Sequence, residues 1–148
     1  MDFESEVMGG RPPIRRRTRA RELALQALYL LDQRGVEVAD EIDNFIARGD
    51  PEPDVRDYAT EVVVGVSRQR EQIDRQIAQA AENWDLHRMA VVDRNVLRLA
   101  CFEILFLDDI PAKVSINEAV DLAKKFSTEE SGSFVNGILD KIKQQHGK

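Results

Sequence analysis

Residues 93–107, DRNVLRLACFEILFL, decide the fold class. Val96, Leu97, Leu99, Ala100, Ile104 and Leu105 recur at helical spacing and cover a wide arc. An apolar arc that wide predicts a central helix over Asp93–Leu107. A short helical turn near Arg88–Val92 should lead into it, and Trp84-Asp85 mark a break between two lobes. Pro111 closes the run, since proline brings no N–H to a helix interior. Ser115-Ile116-Asn117-Glu118 then reads as a capping box, with Val114 and Ala119 as its hydrophobic staple, opening a helix that reaches Phe126. Ser127-Thr128-Glu129-Glu130 repeats the box form, Gly132 suggests a bend, and Phe134, Val135, Ile138, Leu139 and Ile142 line the last helix.

The pattern upstream is helical as well. Asp54 caps a long third helix to about Ala81, whose stripe runs from Val55, Tyr58 and Val62 to Ile73 and Ile77. Gly65 inside it points to close packing, at about 1 kcal/mol of helix propensity. A short helix spans Asp40–Arg48, and Pro51 and Pro53 force the loop behind it. The first helix is expected from Thr18, a capping residue type, to about Gln33, with Arg34-Gly35 stopping it. No strand-period alternation occurs. The expected fold is all-α: about seven helices in two packed bundles. Residues 1–14 form a flexible arm, 15–143 one domain with sub-lobes 15–83 and 84–143, and 144–148 a tail.

The chain has 148 residues, enough to bury a core without metals or disulfides. The single cysteine, Cys101, excludes an intrachain disulfide, and the two histidines, His87 and His146, leave little for a metal site. No run approaches the roughly 20 apolar residues of a membrane span, and the acidic residues 1–10 are no signal peptide, so no membrane role and a cytoplasmic location are expected. Catalysis finds no support. There is no Gly-rich phosphate loop, Cys101 sits mid-helix among Leu99, Phe102 and Ile104, and Asp108-Asp109 reads as a solvated loop. No cofactor and no metal are expected.

The net charge of -6 hides an asymmetry: residues 11–21 hold six arginines and no acid. Arginine pairs bidentately with phosphate and stacks on bases. Arg15, Arg16 and Arg17 sit ahead of the expected helix start, with Thr18 and Arg21 in its first turn, where the helix dipole favours an anion. The block fits a local nucleic-acid backbone site; a solvated tail is the competing reading. It contains no aromatic residue, so stacking must come from elsewhere. Phe134, after the small residues Ser131-Gly132-Ser133, is a candidate, against the commoner role of a core phenylalanine. The acidic extension either folds over the arginines or is inert.

Four segments carry a family resemblance. Arg17–Tyr29 (RTRARELALQALY), Asp93–Ala100 with Glu103, Pro111–Lys124 (PAKVSINEAVDLAK) and Phe134–Lys141 (FVNGILDK) together resemble the bacterial transcription antitermination factor NusB family, in the family's order from Arg15 to Lys143. The resemblance implies an all-helical, non-enzymatic protein that binds single-stranded boxA RNA of ribosomal RNA leaders. Its implied partners are the small-subunit ribosomal protein NusE and a transcription complex with NusA, NusG and RNA polymerase. It aligns Arg17, Thr18 and Arg21 with basic RNA-contacting positions and Phe134 with an aromatic contact. Tyr29 and Asp93 align with positions that meet the ribosomal protein, and Lys113 and Glu130 lie beside the RNA surface. Thr18 and Ser133 stand where basic residues are common in the family, and Arg15, Arg16 and Arg19 offer compensating charge. A homodimer is allowed. The alternative is a helical protein-interaction module, or a self-associating regulator, without a direct RNA role.

Overall fold

A computed structural model of the chain describes residues 13–82 and 84–148. The expected flexible arm and acidic extension, up to residue 12, lie outside the described residues. Among the described residues seven α-helices follow one another: α1 Ile14–Arg34, α2 Ala39–Gly49, α3 Pro53–Arg68, α4 Arg70–Ala80, α5 Val91–Phe106, α6 Ala112–Phe126 and α7 Glu129–His146. Short 3-10 turns occur at Val36–Val38 and Leu86–Arg88. Among the described residues there is no strand, and no helix is long and apolar enough to cross a membrane. The chain divides into two compact units, one ending at Val64 and one of Gly65–Lys148. The dividing point lies within α3, whereas the sequence reading set it at Trp84.

In the first unit α1 and α2 pack on one another. Leu23, Ala24, Ala27 and Leu28 of α1, Ile42 and Ile46 of α2, and Val55, Tyr58, Ala59 and Val62 of α3 are buried. Each large aliphatic side chain so buried contributes about 1.5–3 kcal/mol. The start of α1 corrects the sequence reading. The helix begins at Ile14 behind Pro13, whose φ is -55°. Proline's fixed φ suits a helix start, and this outweighs the local capping preference of Thr18, which lies inside the helix. Arg15, Arg16 and Arg17 are therefore helical and not part of an arm. At the other end Gly35 adopts φ 84°, a left-handed value that favours glycine, and its N–H reaches the Leu31 carbonyl.

In the second unit α5 lies at the centre, with α4, α6 and α7 each packed against it. Asp93 and the run Asn95–Ile104 are all buried. Three of those buried groups are charged: Asp93, Arg98 and Glu103. The Arg98 guanidinium donates to Asp74 Oδ1 at 2.8 Å and Oδ2 at 3.2 Å, and to Asn95 Oδ1 at 3.1 Å. Glu103 accepts from Ser115 Oγ at 2.7 Å. This is why the Ser115 capping box does not form. The helix already starts at Ala112, behind Pro111, and Ser115 is needed inside it as a donor to a buried carboxylate.

Other expectations shift for similar reasons. The long third helix is interrupted at Gln69, φ -103° and ψ 18°, giving α3 and α4. The turn expected at Arg88–Val92 is the 3-10 turn Leu86–Arg88, and α5 starts at Val91. The cap of α7 is Thr128, whose side chain accepts from Ser131 N, one residue later than the box expected at Ser127. No bend occurs at Gly132; a Cβ there would meet only the flexible, exposed Lys124 side chain, at 2.8 Å to its Cε. Gly65 is required for packing, since a Cβ would collide with the Phe102 ring. Cys101 is fully buried, and burial, with the charge of Asp74 added, pushes its thiol up to about 12.

Candidate nucleic-acid interface

The residues proposed from sequence to contact RNA or a partner fall in both units. Arg15, Arg16, Arg17, Thr18, Arg21 and Tyr29 belong to the first, and Asp93, Lys113, Glu130 and Phe134 to the second.

The first turn of α1 contains no acid, and it carries Arg15, Arg16 and Arg17 at the positive end of the helix dipole. The helix dipole disfavours cations there by about 0.3–1 kcal/mol each, which nearby anions offset. The chain supplies some of them from the segment Asp50-Pro51-Glu52-Pro53-Asp54. Arg16 Nε lies 3.1 Å from Asp54 Oδ2 and Arg16 Nη1 3.9 Å from Glu52 Oε2. Arg19 grips Asp50 with two donors, Nε to Oδ2 at 2.9 Å and Nη2 to Oδ1. Asp50 Oδ1 also accepts from Glu52 N, and its carbonyl from Arg56 Nη1, which fixes the loop.

Burial pushes the Asp50 carboxyl up, but the hydrogen bonds from Arg19 and from the Glu52 amide, with the charges of Arg19 and Arg56, hold it below the ordinary carboxylate value. A depressed acid contributes stability that is present above its unfolded value, about 3.9, and is lost as pH falls through the folded one. At neutral pH the pairing is complete.

The arginine block is therefore sorted by the fold. Arg16 and Arg19 rest on internal carboxylates. Arg21 is only 2% exposed, its guanidinium 5.9 Å from the centre of the Tyr58 ring, an intramolecular cation–π contact. Arg17 and Thr18 are half-buried, and the side chain of Arg15 lies outside the described residues. Tyr29, further along α1, is 41% exposed.

In the second unit Lys113 and Glu130 stand exposed in the first turns of α6 and α7. Asp93 is buried. Its Oδ2 accepts from Ser131 Oγ at 3.1 Å, while its Oδ1, equally shielded from water, has no hydrogen-bond partner among the described residues. Phe134 is half-buried and meets Trp84 edge to face, with ring centres 5.3 Å apart. Both rings border a cleft of about 350 Å³ between the end of α4 and α7.

Two features escape a sequence reading. Trp84 read as a lobe break, and nothing local distinguishes a hinge tryptophan from an exposed one. The acidic segment read as a loop and a cap; its alternation of acid and proline opposite an arginine run is the signal that pairs them.

The NusB family model matches residues 18–144. The chain belongs to the NusB family. The transcription antitermination protein NusB of Anaeromyxobacter dehalogenans is 52% identical over 86% of this chain and 89% of its own length. That of Desulfatibacillum aliphaticivorans is 45% identical over 90% and 93%. Among solved structures, T. maritima NusB aligns with a TM-score of 0.77 and 38% identity over 93% of this chain and 95% of its own. A crystal structure of antitermination factors NusB and NusE in complex with double-stranded RNA aligns at 0.81 and 31%, over 90% and 99%. The all-α reading agrees with these NusB-fold neighbours, and the family is one of transcription antitermination factors.

Proposed function

We propose that this chain is a non-enzymatic antitermination adaptor. It binds boxA RNA of ribosomal RNA leader transcripts together with NusE and keeps RNA polymerase processive alongside NusA and NusG, in the cytoplasm. The observation that carries the reading is the opening of α1, three consecutive arginines at the positive end of a helix with no acid in its first turn. Phosphates add to the anions that Asp50, Glu52 and Asp54 already place beside Arg16 and Arg19. The arginines grip the backbone of the strand, and Phe134 takes an unstacked base. The acidic remainder of the chain suits a basic ribosomal protein, whose joint surface with this chain holds the RNA more tightly than either protein does alone.

The experiment is fluorescence anisotropy with labelled boxA RNA, single-stranded and as a duplex, with and without NusE. Binding of the single strand is expected, tightened by NusE. The neighbour that carries double-stranded RNA makes the duplex arm informative: preference for the duplex would replace base reading by backbone recognition. No binding in any arm would leave the protein-interaction module as the function.

Asp93 supports the same reading on the protein side. Asp93 keeps an exposed edge of 8% and holds the start of α7 through Ser131, so it meets NusE through that edge and sets the surface beside it. Asp93→Ala is expected to weaken NusE binding by about ten-fold or more, as loss of a charged hydrogen bond does. Calorimetric titration checks this, and unchanged affinity would remove Asp93 from the interface.

A further inference from the structure

Trp84 is the only tryptophan in the chain, and it is 58% exposed, more than any other exposed large apolar residue described. Packed edge to face on Phe134, the indole offers a ring face on which a flat ligand can stack. The cleft beside the pair is walled by Ile138 and Gly137 of α7 and flanked by Glu82 and Lys141. These two exposed charges stand 3.8 Å apart, a loose pair that a phosphate can replace.

Gly137 is the second observation. It sits in mid-helix at an ordinary negative φ. A Cβ built on it meets nothing within 4 Å. Neither backbone conformation nor packing demands glycine there, and glycine weakens a helix relative to alanine. The missing side chain keeps the cleft open next to Phe134.

We infer that Trp84 and Phe134 form a two-ring stacking step for a nucleobase of a single-stranded RNA, entered over Gly137 with Lys141 beside its phosphate. The site rests on the RNA-binding reading above and adds Trp84, Gly137 and Lys141 to it. Stacking on an indole accepts any base, so the step contributes affinity more than sequence choice.

The lone tryptophan makes the test direct. The full chain is titrated with a single-stranded boxA oligoribonucleotide while anisotropy reports binding and indole emission reports Trp84. Emission should be quenched in step with binding, and an abasic oligonucleotide of equal length should leave it unquenched. Trp84→Ala should weaken binding by about ten-fold, within the range of base–aromatic stacking, and Trp84→Phe should restore most of it. Gly137→Leu should fill the cleft and weaken RNA binding similarly, with an unchanged or raised melting temperature. RNA binding at full strength with unquenched emission, and with both variants like wild type, overturns the stacking step while the RNA reading stands. Failure of the wild-type chain to bind RNA overturns both. Quenching by NusE without RNA assigns the rings to a protein contact and overturns the step.

Discussion

Asp74→Ala should cost about 3–5 kcal/mol of stability, the largest effect of any single substitution discussed, because it strands a buried guanidinium. Arg98 is 1% exposed. Two of its donors end on Asp74, at 2.8 and 3.2 Å, and a third on Asn95 at 3.1 Å. Asn95 is itself anchored by donating to the Val91 carbonyl. With Asp74 gone, the fork keeps its charge in a place water does not reach. Arg98→Met is the informative partner. It removes the buried charge and leaves Asp74, whose side chain is 24% exposed, free to turn to water and to Arg70. It should therefore cost less than Asp74→Ala. Urea denaturation at constant m-value measures both. If Arg98→Met proved the more damaging, packing of the long side chain, and not its charge, would be what the site protects. The consequence reaches function. Asp74 holds α4 on α5, and the end of α4 walls the Trp84 cleft, so the folded fraction of Asp74→Ala should also bind RNA more weakly.

The second large effect is in the salt dependence of RNA binding. A single-stranded ligand loses affinity with a log–log slope of about -0.7 for each phosphate neutralised. Six arginines on an exposed arm would promise a steep slope. The fold withdraws several of them: Arg21 lies under Tyr58, Arg16 rests on Asp54 and Glu52, and Arg19 on Asp50. For about three phosphate contacts the slope is near -2, or about a fifteen-fold loss of affinity from 50 to 200 mM salt. Asp50→Asn with Asp54→Asn should release Arg16 and Arg19 to the RNA. The slope should steepen to about -3.5, a loss of about a hundred-fold over the same range, with tighter binding at low salt. Circular dichroism must show α1 intact in the double variant. An unchanged slope would show that the two arginines serve the fold and not the ligand, and a flat slope in the wild type would remove the electrostatic account of RNA binding.

What was legible in the sequence follows from the range of the forces involved. The central helix and the buried stripes of α1, α2 and α3 were readable because hydrophobic periodicity is written locally and burial simply follows it. The helix starts were less readable. Thr18 and Ser115 have the right chemistry for caps, yet proline geometry started α1 and α6 earlier, and the need of Glu103 for a donor drew Ser115 inside. The Gln69 interruption has no proline or glycine at it, and nothing in the local sequence marks it.

The sequence by itself determined the helical class, the family and the concentration of cationic charge at the start of the first helix, because each is a property of residue order alone. Only the tertiary structure decided that Arg16 and Arg19 rest on carboxylates, that one shielded oxygen of Asp93 has no donor among the described residues, and that Trp84 stands in water beside Phe134. Those facts depend on what residues distant in sequence bring within a few ångströms, where desolvation and charge pairing are settled. The acids at 50–54 and the ring at 134 act on positions 31 and 50 residues away, and no local pattern encodes that meeting.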